Sequence, residues 1–275
     1  AANTNQTAPF TVEETVTVTG ASPIDGPPPP IAPATISRDA EGRATVRAVR
    51  LTEPLEIDGI LNETMYDAVE SFSGFIQQSP DEGAPATERT EAWVFFDDST
   101  VYVSGRLWDS APESQWVANE MQRDSFQLIN NESFSVVFDT FYDRRNGLAF
   151  LINPLGGIYD YEITDEGRPN RDWNPVWNIK TGRFDGGWTV EMEIPFKSLR
   201  FRPGLDQVWG LQLGRRIRWK NESVYLTPVA ISAGPGLFRL SAAGTLTGLE
   251  VPSGNRTFEI KPYAIGSLAT DRNAS

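Results

Sequence analysis

The sequence predicts an all-β protein, an antiparallel β-sandwich behind a Pro-rich N-terminal segment. Three observations carry this. Short runs alternate apolar or β-branched residues with polar ones, the period-2 pattern of half-buried strands. Clusters of Gly, Pro, Asn and Asp separate these runs at short spacing, as turns do. No long stretch repeats with the helical period. The length of 275 residues is ample for a core, and a single all-β domain can reach about 250 residues.

Residues 1–43 read as an extended or disordered tail. Residues 1–36 hold no Lys or Arg, and Pro27, Pro28, Pro29, Pro30 and Pro33 make a polyproline II spacer. Within the tail, residues 14–20 (ETVTVTG) are β-prone and suited to adding a strand to a partner's sheet edge. They resemble the TonB box of TonB-dependent outer-membrane transporters.

The sandwich is expected over residues 44–257. Residues 45–50 (TVRAVR) alternate, and residues 62–69 (NETMYDAV) predict a short helix capped by Asn62. Residues 91–97 (EAWVFFD) and 100–108 (TVYVSGRLW) flank Asp98 and Ser99 and read as a hairpin. Residues 133–141 and 148–152 flank Asn146-Gly147, a hairpin signal because both turn residues need positive φ. Further strands are expected at 158–164, 176–180, 188–194 and 209–219. Pro195 should end one of them, with a helical turn at 196–199. Residues 258–275 read as a last strand or as the start of a following membrane β-barrel.

The chain has no His and no Cys. That excludes a Ser-His-Asp triad, an imidazole base, a thiolate nucleophile, disulfides, iron–sulfur sites and zinc fingers. A bound metal would be a hard, oxygen-liganded ion such as Ca²⁺. The net charge is −13, which argues against nucleic acid as a partner. The charge is uneven: residues 51–100 are acidic and residues 200–275 are basic. No apolar run approaches the ~20 residues of a membrane-spanning helix. The small, polar start at Ala1 and Ala2 is that of a mature exported protein, so the expected location is periplasm, outer membrane or cell surface.

The chain carries eight Trp, more than a sandwich core uses. Trp173 and Trp177 sit among Arg171, Asp172, Asn174 and Asn178 near a turn at Pro175. An indole flanked by carboxylate, amide and guanidinium groups suits a pyranose, whose C–H face packs on the ring while its hydroxyls bond the edge groups. The same two residues are equally suited to closing one end of the sandwich. Trp188 opens an alternating strand and is expected in the core. Asp97, Asp124, Asp139 and Asp143 lie near turns and are the candidate Ca²⁺ ligands, with solvated turn residues as the alternative. Glu191 and Glu193 share one strand face, the weak basis for a glycoside hydrolase reading. In residues 215–220 (RRIRWK), alternation puts Arg216, Arg218 and Lys220 on one face and Arg215, Ile217 and Trp219 on the other. The basic face reads as a site for an anionic glycan or as a charge-protected edge.

Several of these stretches together resemble family 9 carbohydrate-binding modules. Residues 55–63 (LEIDGILNE) resemble that family's "IDG-x-LDE-x-x-W" opening, with Asn62 and Tyr66 in place of Asp and Trp. Residues 90–103 resemble its "YDD-x-x-LYV" hairpin, and residues 187–196 (GWTVEMEIPF) its "GW-x-x-E-x-x-IP-F" strand. Residues 153–157 (NPLGG), 173–177 and 209–210 resemble one subgroup, in which the module precedes a large outer-membrane β-barrel. Residues 259–263 (EIKPY) resemble the junction into that barrel. The resemblance implies a jelly-roll or immunoglobulin-like sandwich, sugar binding by aromatic side chains, and structural calcium. Non-catalytic carbohydrate binding is the expected function. Trp173, Trp177, Asp172, Asn174, Arg171 and Arg216 are the expected ligand residues, and Asp124, Asp139, Asp143 and Asp97 the expected metal ligands. The alternatives are an interaction domain docking on a barrel or a TonB-type partner, and a glycoside hydrolase.

Overall fold

The computed structural model describes residues 25–202 and 204–251. The TonB-box-like residues 14–20 and the terminal residues 258–275 lie outside them. In chain order the strands are β1 (Ile36–Arg38), β2 (Ala44–Arg47), β3 (Val49–Arg50), β4 (Ile76–Ser79), β5 (Thr90–Phe96), β6 (Thr100–Trp108), β7 (Ser133–Asp139) and β8 (Gly147–Ile152). There follow β9 (Ile158–Ile163), β10 (Pro169–Asn170), β11 (Asn178–Phe184), β12 (Gly187–Pro195), β13 (Asp206–Ile217), β14 (Glu222–Tyr225) and β15 (Gly244–Glu250). A short helix, α1 (Thr64–Ala68), follows β3.

The strands form two sheets. The larger runs β1-β2-β15-β13-β7-β8-β9-β10, with β14 on β13 and β4 on β14; the smaller runs β11-β12-β6-β5-β3. Long strand β13 organises the larger sheet. One of its edges pairs with β15 over its first half and with β14 over its second, while β7 takes the other edge. Most pairs are antiparallel as expected, but β15 with β2 and β3 with β5 are parallel. The alternating TVRAVR run is the cause. It breaks at buried Ala48, where the chain leaves one sheet and enters the other. The expected tail is also shorter, because β1 pairs with β2 from Ile36 onward and Ile36 packs on the core.

Between the sheets lies the main core, built on Val94, Phe96, Val103, Phe134, Phe138, Phe150, Trp188, Met192, Trp209 and Leu211. Trp188 is there as expected. The β5–β6 hairpin forms as expected, with Phe96 opposite Val101. Its turn is held by Asp97, which accepts the Ser99 amide at 2.7 Å and the Tyr102 hydroxyl at 2.8 Å. The β7–β8 connection differs from a two-residue Asn-Gly turn. Positive φ falls on Tyr142 (51°) and Arg144 (61°). Buried Asp139 accepts the amides of Asp143 at 3.1 Å and Arg144 at 2.7 Å. The helix begins one residue later than expected, with Glu63 rather than Asn62 at the cap.

Both sheets are also covered on their outer faces. Over the smaller sheet, Trp93, Phe95 and Tyr102 pack against Met65, Tyr66, Leu55, Ile57 and Leu61. The outward Glu191 of β12 anchors this cover. It accepts the amides of Asp58 at 3.1 Å and Gly59 at 2.8 Å and the Tyr66 hydroxyl at 2.8 Å. Over the larger sheet, Val137, Leu151, Tyr159, Tyr161 and Ile163 meet Leu128 and Leu240. This second cover is incomplete, and the gap it leaves is the candidate site.

Candidate functional site

The gap is a cavity of 270 Å³ over the outer face of β7, β8, β9, β13 and β14. Alternation sets its floor. Phe134, Phe150, Asp160, Leu213 and Val224 face inward, so Ser133, Ser135, Leu151, Tyr159, Tyr161, Gly214, Arg216, Ser223 and Tyr225 face the cavity. Phe126, Ile129, Pro169, Arg171, Arg215, Pro235, Leu237 and Phe238 complete the lining. Gly214 and Gly236 lie against the Tyr225 ring, 3.0 and 2.6 Å from where a Cβ would stand. Tyr161 stacks on Phe238 at 5.6 Å and 30°, and Tyr159 lies 5.1 Å from Tyr161. The Arg171 guanidinium sits 4.5 Å over the Phe126 ring. Arg216 donates to the Ile129 carbonyl.

One polar group is left over. The Tyr159 hydroxyl is buried and has no hydrogen-bond partner among the described residues. Buried polar groups are almost always paired, so an orphan in a cavity lining points to a ligand or a water there. Burial pushes the Tyr159 and Tyr161 phenols above their ordinary range. Both are neutral, donating hydroxyls at neutral pH.

Of the six expected sugar-binding residues, the structure brings Arg171 and Arg216 together here. The Trp pair is not an exposed platform. Trp177 is 7 % exposed, packs edge-on against Phe150 at 5.0 Å and donates from Nε1 to Asp160 at 3.0 Å. Of its polar neighbours in sequence, Asn174 joins a network that closes the core. Arg123 bonds Asp160 at 2.8 Å and takes up Asn174 Oδ1 at 2.8 Å. Trp173 is half-buried and lines a separate 260 Å³ cavity with Phe141, Asp143, Asn146, Glu162 and Arg200. Asp172 is an exposed turn residue. The cavity tyrosines were not among the expected residues. The signal was present in residues 158–163 (IYDYEI), where both tyrosines fall on one strand face.

The expected calcium ligands do not form a cage. Asp97 and Asp139 hold the turns described above. Asp143 accepts the amides of Arg145 at 2.9 Å and Asn146 at 2.8 Å, and Asp124 pairs with Arg123 at 3.3 Å. No three acidic side chains come together as a metal site among the described residues. The basic 215–220 face also differs from expectation. β13 ends at Ile217, and residues Arg218–Lys220 form a 3-10 turn. Arg215 points between the sheets, as its alternation with Ile217 requires, and is 2 % exposed.

Glu191, one of the pair behind the hydrolase reading, is fully occupied by the 58–59 turn and Tyr66. It is not an accessible catalytic group. Burial pushes it up to about 7, and Glu132, at the amides of Arg218 and Trp219, likewise to about 7. The ordinary value is 4.5. The folded protein therefore keeps protons that the unfolded chain has released. The associated stability is fully present below the unfolded value and is lost as pH rises through about 7. The thermal midpoint should fall between about pH 5 and pH 8, and Glu132→Gln should flatten that fall. A midpoint that rises over this range would contradict the assignment.

No family model matches the sequence, and no curated protein matches it. Solved structures share the fold. One is a family 9 carbohydrate-binding module from Caldicellulosiruptor kristjanssonii in complex with cellotriose. It has TM-score 0.52 and 18% identity over 78% of this chain and 100% of that one. A second, from the same organism in complex with glucose, has TM-score 0.53 and 16% identity over 79% and 100%. A third is a Bacteroides uniformis protein whose carbohydrate binding is itself inferred, at TM-score 0.59 and 8% identity over 74% and 98%.

Proposed function

We propose that this domain binds carbohydrate without transforming it, in the cavity over the larger sheet. The observation that carries this is the lining: three tyrosines, two phenylalanines and three arginines, of which Arg215 turns its side chain inward, around an unpartnered phenol. Aromatic rings with a few convergent polar groups are what a sugar requires. At 270 Å³ the cavity is at the small end of ligand pockets, so it suits one or two sugar rings rather than a long chain. Support also comes from neighbours of the same fold that hold cellotriose and glucose.

Tyr159→Phe tests the site. In the sugar complex the hydroxyl has a partner, so its loss should weaken binding about fivefold or more, read by calorimetric titration with oligosaccharides. Removing a buried, unpaired hydroxyl should leave the thermal midpoint unchanged or raise it. Weaker binding with undiminished stability separates a ligand contact from a packing role. Unchanged binding would remove the cavity from the reading.

The burial of Trp177 favours a second reading, an interaction domain that has this fold and no sugar site. Failure to bind any sugar would support it. For location, the proposal is an exported domain beside an outer-membrane β-barrel, supported by the resemblance of residues 259–263 to a barrel junction. Cell fractionation tests it, and a cytoplasmic pool alone would refute it.

A further inference from the structure

We infer that the cavity over the larger sheet takes an anionic pyranose, a sugar ring carrying a carboxylate or a sulfate. This rests on the reading that the cavity binds sugar, and goes beyond it in ligand class. In a chain of net charge −13, the lining of this cavity contains arginines and no Asp or Glu. Two other cavities are mixed. One sets Asp143 and Glu162 beside Arg200, and the other sets Asp109, Glu113 and Asp185 beside Arg183. Neither of these two shows the charge separation of the aromatic cavity.

Two of the three lining arginines are available, Arg215 being turned inward to Asp109. Neither Arg171 nor Arg216 has a carboxylate partner among the described residues, whereas Arg123, Arg183 and Arg239 are all paired. Arg216 spends one donor on the Ile129 carbonyl, which fixes the guanidinium and leaves further N–H groups. Arg171 lies over Phe126, stacked rather than hydrogen-bonded. Both charges act at the phenols of the lining. Arg171 favours ionisation of Tyr159, and Arg216 favours that of Tyr161 and Tyr225, each against a larger effect of burial. The nearby Asp124 is already held by Arg123. A planar guanidinium with free donors matches a carboxylate or sulfate, and a partly buried cavity screens that pairing less than open water does.

The test titrates the 275-residue chain with D-glucuronate, its methyl ester, glucose 6-sulfate, glucose and cellotriose. The proposal expects glucuronate or the sulfate to bind about tenfold or more tighter than the ester and glucose, with the advantage shrinking as salt rises. Arg171→Met, at an exposed position outside the strands, should bring the ratio of glucuronate to glucose affinity down to about one. Arg216→Met should do the same where the chain still folds. Equal or tighter binding of the neutral sugars overturns the anionic class while sugar binding stands. No binding of any probe overturns both readings.

Discussion

Replacing Arg215 with methionine is expected to destabilise the fold by about 3–5 kcal/mol, read as a lower urea midpoint at unchanged slope. Arg215 projects from β13 into the space between the sheets, with its side chain 1% exposed. It donates to the Arg89 carbonyl at 3.0 Å, the Thr90 hydroxyl at 3.1 Å and the Trp108 carbonyl at 2.6 Å. One side chain thus ties the larger sheet to two interior strands of the smaller one, β5 and β6. It also lies 3.5 Å from Asp109, and Glu132, Glu88 and Glu222 add their charges around it. Burial alone disfavours its charge, so the cation and its acids stand or fall together. Methionine keeps much of the volume but leaves the acids without their central cation and takes a donor from two carbonyls, of which that of Arg89 still accepts the Trp108 amide. Arg215→Lys should be intermediate, since an ammonium keeps the charge and cannot fork across three acceptors. Asp109→Asn should cost less in the methionine background than alone, because each change removes half of one interaction. A loss below about 1 kcal/mol for Arg215→Met would show that the network contributes little.

Alternation made much of the sandwich legible, and the residues it misread share a physical cause. Residues 91–108 are two runs rich in aromatic and β-branched residues that turn at Asp98 and Ser99, so the hairpin could be read locally. Residues 215–217 alternate as expected. What the alternation could not reveal was that the inward face receives Arg215, because its acids come from positions 88, 109, 132 and 222. Trp177 failed in the same way. Its polar neighbours suggested an exposed ring, yet its own indole N–H serves a buried Asp160 brought in from β9. The site was half legible. Arg171 and Arg216 were singled out, but Tyr159 and Tyr161 were not, because a sheet covered on both faces has no face that sequence can label as solvent. The resemblance of residues 55–66 and 187–196 proved to mark one device. The Glu of the second motif holds the Asp-Gly turn of the first. Tyr66, where the resembled family has Trp, also carries its donor at the far edge of the ring.

That device sets the second large effect. Gly182→Ala is expected to cost about 3 kcal/mol or more by lifting the 58–59 turn off the smaller sheet. A Cβ on Gly182 would stand 2.0 Å from the Gly59 carbonyl oxygen and 2.7 Å from the Thr189 hydroxyl. The turn cannot yield toward its own side chain, because Gly59 has φ +89° and a Cβ there would meet the Thr181 backbone at 2.7 Å. Two glycines therefore let two backbones touch, and Thr189 completes the contact by donating to Gly59 at 2.5 Å. Once the turn moves, Glu191 loses both amide donors while still buried, and Tyr66 loses its seat between Glu191 and Ser104. Glu191→Gln should cost only about 1 kcal/mol, since an amide oxygen still accepts and no buried carboxyl is left to ionise. In the Glu191→Gln background Gly182→Ala should therefore cost less than in the parent, the difference being the charge stranded by the displaced turn. Strict additivity would mean that the alanine acts through β11 packing alone and that Glu191 holds the turn no more tightly than a neutral acceptor would.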